Sequence, residues 1–135
     1  MDIFSKSDRS KIMKRVRSTG NASETKLRKR LFALGFRYRV NYSMVPGKPD
    51  IVFTRKRKVI FVHGCFWHQH AECKASDRPT SNTEYWTKKL DGNVARDLGV
   101  QDQLRETGWT VYVVWECELK NFEECVNRVT AFLSE

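Results

Sequence analysis

The order of apolar and polar residues predicts helices and strands in turn along the chain. A stripe of three leucines follows Ser23, which predicts a helix capped there and ended by Gly35; the leucines are Leu27, Leu31 and Leu34. Alternating apolar and polar residues predict a strand over residues 36–42. Apolar runs predict three more strands, over residues 50–54, 59–63 and 109–115.

Two further helices complete the pattern. One is predicted from Thr83 to about Thr107, bent or broken near Gly92 and Gly99, and the last is capped by Asn121. The element order α-β-β-β-α-β-α predicts an α/β fold in which helices flank both faces of a mixed central sheet. A chain of 135 residues is too short for two cores, so we expect a single domain over residues 1–135.

Charge is distributed unevenly between the two parts of the chain. Residues 1–40 hold 12 basic and 3 acidic side chains, whereas residues 41–135 hold 13 of each. This surplus predicts a polyanionic partner, either nucleic acid or an anionic membrane surface, that is bound by a basic N-terminal arm over residues 1–20. The arm includes Lys11, Lys14 and Arg15.

The sequence contains no apolar run that could span a bilayer and no secretory signal. We therefore expect a cytoplasmic protein. In such a reducing compartment, cysteines are thiols or metal ligands more often than disulfides.

Metal-ligating residues are concentrated between positions 63 and 73. Soft thiolates and imidazoles in a short irregular segment suit tetrahedral zinc. Three ligands would come from Cys65, His70 and Cys73, and the fourth from Cys117, which follows a predicted strand. The alternative is that these cysteines are buried in the core, which is the interpretation we adopt for Cys125.

A second group of residues could perform hydrolysis. Asp50 begins one predicted strand and His63 ends the next, so a hairpin would bring them together with His68, offering a carboxylate for a hard cation and imidazoles for proton transfer. Taken alone, Asp50 would be a turn residue. Between the histidines, Phe66 and Trp67 either pack beneath the loop or form a wedge that inserts between bases. The same alternatives apply to Trp86, for which the chemistry alone favours packing.

Together, these motifs resemble the very short patch repair (Vsr) mismatch endonucleases. The matching segments occur in family order; they are 46–50, 63–68 with His70 and Cys73, 83–86, 93–97, 108–109 and 115–117. The resemblance implies a restriction-endonuclease-like fold that nicks one DNA strand beside the thymine of a T:G mismatch, using magnesium. It also implies double-stranded DNA as substrate. Of the two polyanionic partners considered above, DNA is therefore favoured over an anionic membrane surface.

The resemblance further implies a role for each matching residue. The magnesium ligands would be Asp50 and the backbone carbonyl of Val62, and the catalytic residues would be Asp50, His68 as general base and His63 assisting at the phosphate. Structural zinc would be held by Cys65, His70, Cys73 and Cys117. The intercalating wedge would be Phe66, Trp67 and Trp86, contrary to the chemistry-only interpretation of Trp86. Further acidic positions near the active site would be Glu24 and Asp97. Because of their charge, the arm residues Lys11, Lys14 and Arg15 would contact DNA phosphates.

The chain departs from the family pattern by one extra residue between Cys65 and Cys73. Two other functions remain open: a related nuclease of a defence system that acts on undamaged or modified DNA, and a zinc-stabilised DNA-binding module without catalysis. For the leading hypothesis we expect a monomer, associated with the bacterial nucleoid, that works with MutL-like or MutS-like repair proteins.

Overall fold

A three-stranded mixed sheet lies at the centre of the protein. The computed structural model of the chain describes residues 22–135. Strand β1 (Ile51–Phe53) pairs antiparallel with β2 (Lys58–His63), and β2 pairs parallel with β3 (Thr110–Trp115). The three strands and the mixed sheet agree with the sequence prediction. The predicted N-terminal arm, with Lys11, Lys14 and Arg15, lies outside the described residues.

In the described part of the chain, three α-helices accompany the sheet. Helix α1 covers residues 22–33 of the described chain, α2 is Thr83–Glu106 and α3 is Phe122–Ser134. Single 3₁₀ turns at Lys74–Ser76 and Glu116–Lys120 complete the order of elements. Helix α2 is continuous for 24 residues, so the predicted break at its glycines is absent. Within residues 22–135, no helix combines the length and apolarity that crossing a bilayer requires.

The helices cover both faces of the sheet because successive strand residues point to opposite sides. On one face Ile51 and Ile60 pack against the apolar sides of α1 and α3. On the other face Val52 and Phe61 pack against Leu104 of α2. Both strand faces are therefore buried, which explains why these segments read as continuous apolar runs rather than as alternating ones.

The predicted strand over residues 36–42 is not formed. Only Arg39 pairs with the sheet, through one antiparallel bridge to Val52. The alternating pattern instead reflects two partly buried rings, since Phe36 and Tyr38 both contact the ring of Phe53 edge-on. The chain then turns away at Asn41, whose φ is +54°. The alternation correctly identified Phe36 and Tyr38 as inward-facing, but Val40, on the same side of the pattern, is 42% exposed. The burial of the two rings comes from ring packing rather than from a strand ladder.

Helix ends also differ in part from the prediction. Ser23 lies inside α1 rather than at its cap, and Leu34 is 53% exposed because α1 has already ended. Gly35 does end the helix, with φ at +99° and the N–H of the next residue bonded to the carbonyl of Leu31. Asn121 occupies the cap of α3, but its side-chain amide donates to Glu124 instead of capping the helix.

A close approach at Gly47 positions the turn before β1. Gly47 has φ at +80°, and a Cβ atom added there would overlap Cγ1 of Val100 on α2. Gly35 also has a positive φ, but nothing lies within 4 Å of the corresponding Cβ position. We expect Gly35→Ala to cost about 1 kcal/mol through backbone strain and Gly47→Ala to cost roughly 2 kcal/mol more, because the stiff valine has to move. Urea unfolding of both variants measures the difference; equal losses would contradict the packing argument.

Candidate active site and metal cluster

One edge of the sheet gathers the chemically active residues. Because β2 and β3 are parallel, both end at this edge, and the antiparallel β1 begins there. Asp50 immediately precedes β1, His63 is the last residue of β2 and pairs with Trp115, and Cys117 follows β3. The topology thus brings together residues that are far apart in the sequence.

Asp50 connects the start of β1 to β2 and to α1. Its Oδ2 accepts a hydrogen bond from the backbone N–H of Val62 at 2.6 Å, and its carboxyl group also hydrogen-bonds to Glu24. Burial, followed by the hydrogen bond to and the charge of Asp50, raises the pKa of Glu24 to about 7, against the opposing charge of Arg28. Glu24 is therefore partly protonated near neutral pH, and in that form it can donate a hydrogen bond to Asp50. Paired oxygen ligands of this kind suit a hard divalent cation, which would replace that proton.

The raised pKa of Glu24 predicts how the free energy of unfolding depends on pH. The folded protein keeps the Glu24 proton up to about pH 7, whereas the unfolded chain releases it near 4.5, so this group lowers stability progressively between those values. We expect Glu24→Gln to stabilise the protein at pH 8 by on the order of 1 kcal/mol, discounted for partial solvation, and to change little at pH 5. Thermal unfolding without added magnesium measures this; a stability difference independent of pH would contradict it.

His68 and Asp97 form the hydrogen-bonded pair of the site. His68 Nδ1 lies 2.6 Å from Asp97 Oδ2, and because an ionised carboxylate only accepts, Nδ1 is the donor. This leaves the Nε2 of a neutral His68 as an acceptor. The ring of His68 stacks on that of His63, with 3.9 Å between centroids and 6° between planes. Burial and the neighbouring His68 lower the pKa of His63 to about 4, so His63 is neutral at physiological pH.

These residues open onto a cleft with a volume of about 260 Å³. Asp50 and Lys48 line both this cleft and a second depression that reaches Glu24 and Arg28. The remaining residues of the first cleft are Gly47, Phe61, Val62, His63, His68, Arg96, Asp97, Val100 and Gln101. The carboxylates, the imidazoles and one lysine therefore face the same space.

Four ligands of the predicted zinc set converge beside this cleft. The ligand atoms of Cys65, His70, Cys73 and Cys117 all lie within 4.8 Å of one another. His70 Nδ1 is 3.7 Å from Cys65 Sγ and 3.4 Å from Cys117 Sγ. A tetrahedral zinc ion with ordinary bond lengths separates such ligands by roughly 3.6 Å, so the donor set fits zinc in both chemistry and spacing.

The four ligand residues converge even though the loop between Cys65 and Cys73 has one residue more than the family pattern. Glu72 adopts a left-handed conformation with φ at +58°, next to Cys73. The ring of His70 stacks on Trp115 at 4.2 Å, which fixes its orientation. Burial raises the pKa of the Cys65 thiol to about 12, so in the absence of a metal this cysteine carries a proton. Cys125 is also buried but belongs to the core beneath α3, as the sequence suggested.

The aromatic residues form one packed group. Phe66 contacts Trp67 edge-on at 4.9 Å and Trp86 at 5.5 Å. Trp86 is 2% exposed, and its Nε1 has no hydrogen-bond partner among the described residues. Trp86 therefore packs beneath the pair rather than reaching outward. This burial is what the packing interpretation predicts for Trp86, and the wedge role that the resemblance implies for it stays a prediction.

Several polar residues that contact the loop after β2 have no role in the prediction from sequence. Asn93 on α2 donates to the carbonyl of Trp67 at 3.0 Å, and Gln69 and Arg78 join neighbouring segments. No periodicity marks these residues. Gln69 is nevertheless conspicuous in the sequence, because its amide stands between the two candidate site residues His68 and His70.

The fold and the site together define a class of protein. Paired carboxyl groups, a histidine held by an aspartate and a separate thiol–imidazole cluster at one sheet edge are typical of metal-assisted hydrolytic enzymes. The comparisons with known proteins specify the class further. The family described as DNA mismatch endonuclease Vsr matches residues 1–75.

Similar proteins cover nearly the whole chain. The type II nicking enzyme V.NmeAIP of Neisseria meningitidis is 43% identical over 134 residues, which is 99% of this chain and 95% of that protein. The DNA mismatch endonuclease Vsr of Escherichia coli is 41% identical over 127 residues, covering 94% and 81%. The type II nicking enzyme V.XorIIP of Xanthomonas oryzae is 42% identical over 120 residues, covering 89% and 88%. The chain belongs to the DNA mismatch endonuclease Vsr family and is a DNA endonuclease.

Proposed function

We propose that the protein nicks one strand of double-stranded DNA beside the thymine of a T:G mismatch, by magnesium-dependent hydrolysis of a phosphodiester bond. One observation carries the proposal: a single loop after β2 presents the aromatic pair Phe66–Trp67 directly before His68, which is held by Asp97. The aromatic pair that would separate stacked bases is thus adjacent in sequence to the histidine that would transfer a proton. A restriction-endonuclease-like fold is part of the same proposal.

Mismatch recognition would use the aromatic pair. Phe66 and Trp67 are partly exposed, and the buried Trp86 supports them from below. An inserted pair unstacks neighbouring bases at a cost that is lowest where the bases are already mispaired. Insertion at a T:G pair therefore costs less than at T:A, and this difference supplies discrimination. Basic residues of the predicted arm would add phosphate contacts without sequence information.

Proton transfer in the cleft would use the three residues beside Asp50. Asp97 accepts a hydrogen bond from His68 Nδ1, which leaves Nε2 to take the proton from the attacking water. The charge of Asp97 then stabilises the imidazolium that forms. His63 remains neutral because of its burial, so it hydrogen-bonds to a phosphate oxygen without competing for that proton.

The two metal sites would have different roles. Magnesium would be held by Asp50, with Glu24 close by and the backbone carbonyl of Val62 as a further ligand. When bound, it supplies Lewis-acid stabilisation of negative charge on the phosphate. Zinc would be held by Cys65, His70, Cys73 and Cys117 and would fix the loop between His63 and α2.

The aspartate–histidine pair yields a direct prediction. We expect Asp97→Asn to lower the rate of nicking by about 100-fold or more, since asparagine neither stabilises the imidazolium nor enforces the tautomer. Single-turnover kinetics on a T:G duplex measure the loss. A matched change at the exposed Asp102 of the same helix should leave the rate within about twofold. Nearly wild-type nicking by Asp97→Asn would remove the pair from the mechanism.

Two alternatives remain testable. The names of two similar proteins, both type II nicking enzymes, also fit the first alternative, a nuclease with the same site that acts on undamaged or modified DNA. A non-catalytic zinc-stabilised module is disfavoured because mere binding has no use for Asp50, His63 and His68 in one cleft.

Strand-resolved nicking of T:G, unmethylated and methylated duplexes, with and without magnesium, separates these functions. Preference for T:G supports the proposal, preference for a matched duplex supports the alternative nuclease, and binding without cleavage supports the module. The monomeric state, nucleoid association and MutL-like or MutS-like partners stay predictions.

A further inference from the structure

The side-chain amide of Gln69 bonds to three parts of the loop over residues 64–82. Its Nε2 donates to the carbonyl of Phe66 at 2.7 Å and to that of Ser76 at 3.0 Å. Its Oε1 accepts from Arg78 Nε at 2.8 Å. Both N–H groups and the oxygen of one amide are therefore in use. Gln69 itself is held in the left-handed region, with φ at +51°, which directs its side chain back over its own loop.

Arg78 continues this connection to α2. While its Nε bonds to Gln69, its Nη2 donates to Asp91 Oδ1 at 2.6 Å. Both members of the ion pair are exposed, so the pair alone contributes little to stability. The rigid planar guanidinium instead sets a distance and an orientation between the amide of Gln69 and the helix.

Three consecutive loop residues are thus attached to the same helix. Trp67 is attached through its carbonyl to Asn93, and His68 through Nδ1 to Asp97. Gln69 is attached through Arg78 to Asp91 of α2. The aromatic pair and the histidine therefore share one rigid support, with Gln69 as the connection on the side of Phe66.

We propose that Gln69 and Arg78 are positioning residues that fix the Phe66–Trp67 pair relative to His68, so that insertion at a mismatch places the scissile phosphate at the general base. The inference rests on the function proposed above. Neither residue touches the reacting atoms. Their effect follows from geometry, since a displacement of about 1 Å at a reacting centre costs roughly 100-fold in rate.

Gln69→Gly tests this role without straining the backbone, because glycine adopts a positive φ freely. Glu72→Gly is the matched control: Glu72 lies in the same loop, has φ at +58°, and its side chain forms no hydrogen bond or ion pair within residues 22–135. We expect Gln69→Gly to lower kcat on a T:G duplex by about 100-fold while KM and zinc content stay near wild type. Glu72→Gly should keep wild-type kinetics.

Two further variants distinguish the hydrogen bonds that Gln69 donates from the bridge that Arg78 forms between Gln69 and α2. Gln69→Glu still accepts from Arg78 but no longer donates to the carbonyls of Phe66 and Ser76, so it should be as impaired as Gln69→Gly. Arg78→Lys retains the charge opposite Asp91 but loses the planar fork, so it should fall between wild type and Gln69→Gly.

A duplex with 2-aminopurine beside the mismatch reports insertion directly, because unstacking raises its emission. We expect the increase seen with wild type to be reduced with Gln69→Gly and retained with Glu72→Gly. Wild-type kcat and emission in Gln69→Gly, or equal defects in both glycine variants, would overturn the inference. If wild type nicks T:G and T:A duplexes alike, the mismatch function is wrong; the positioning role is then upheld or overturned by kcat of the two glycine variants on that shared substrate.

Discussion

Asp50→Asn is expected to reduce nicking of a T:G duplex by about 1,000-fold or more while leaving the protein folded. Asparagine keeps an oxygen that accepts the hydrogen bond from the N–H of Val62, so the junction between β1 and β2 is preserved. It removes the negative charge that would hold magnesium, and metal-supplied stabilisation of the transition state is worth several kcal/mol. Single-turnover nicking measures the rate, and urea unfolding measures stability.

Controls for this prediction separate charge from structure. Asp50→Ala should also abolish nicking but should cost more stability, because it leaves the N–H of Val62 without its partner. Asp102→Asn removes an equivalent charge from the exposed face of α2 and should leave nicking unchanged. If Asp50→Asn nicked at a rate within tenfold of wild type, Asp50 would have no part in catalysis.

Removal of zinc is expected to have the second large effect. The protein should contain about one equivalent of zinc, and its loss should destabilise the fold by several kcal/mol, because binding energy at a structural site is folding energy. Without the ion, burial raises the pKa of the thiols of Cys65 and Cys117, and the loop keeps weaker contacts to the end of β3, such as the stacking of His70 on Trp115, in place of the metal–ligand bonds. Elemental analysis and thermal unfolding, before and after chelation, measure both quantities.

Cysteine variants assign the zinc to its ligands. Cys65→Ser and Cys117→Ser should lose or weaken zinc binding. Cys125→Ser makes the same chemical change in the core beneath α3 and should retain the full equivalent. Zinc content unchanged in Cys65→Ser, or lost only in Cys125→Ser, would show that the cluster of four is not the site.

Much of the fold could be predicted from the local pattern of apolar residues. Because both faces of the sheet are buried, its strands are continuous apolar runs. The segment over residues 36–42 shows the limit of that approach. Its alternation records which side chains face inward, and rings packed on Phe53 produce the same alternation as a paired strand. Only the backbone partner distinguishes the two cases, and here that partner is Val52 alone.

The site was predicted unevenly for a similar reason. Thiols and imidazoles are chemically distinctive, so residue type and spacing predicted that Cys65, His70 and Cys73 lie together, and the structure brings them together. The hydrogen bond between His68 and Asp97 joins residues 29 positions apart, and no local pattern encodes it. Gln69 is ordinary in type, and its importance comes from the carbonyls around it.

The most direct test of the proposed function is the strand-resolved rate of nicking on two duplexes that differ only in a T:G or a T:A pair, with magnesium present. We expect nicking beside the mismatched thymine at least about 100-fold faster than at the same bond in the matched duplex, and no nicking when magnesium is omitted. Equal rates on the two duplexes would contradict mismatch recognition, and equal rates with and without magnesium would contradict the proposed chemistry.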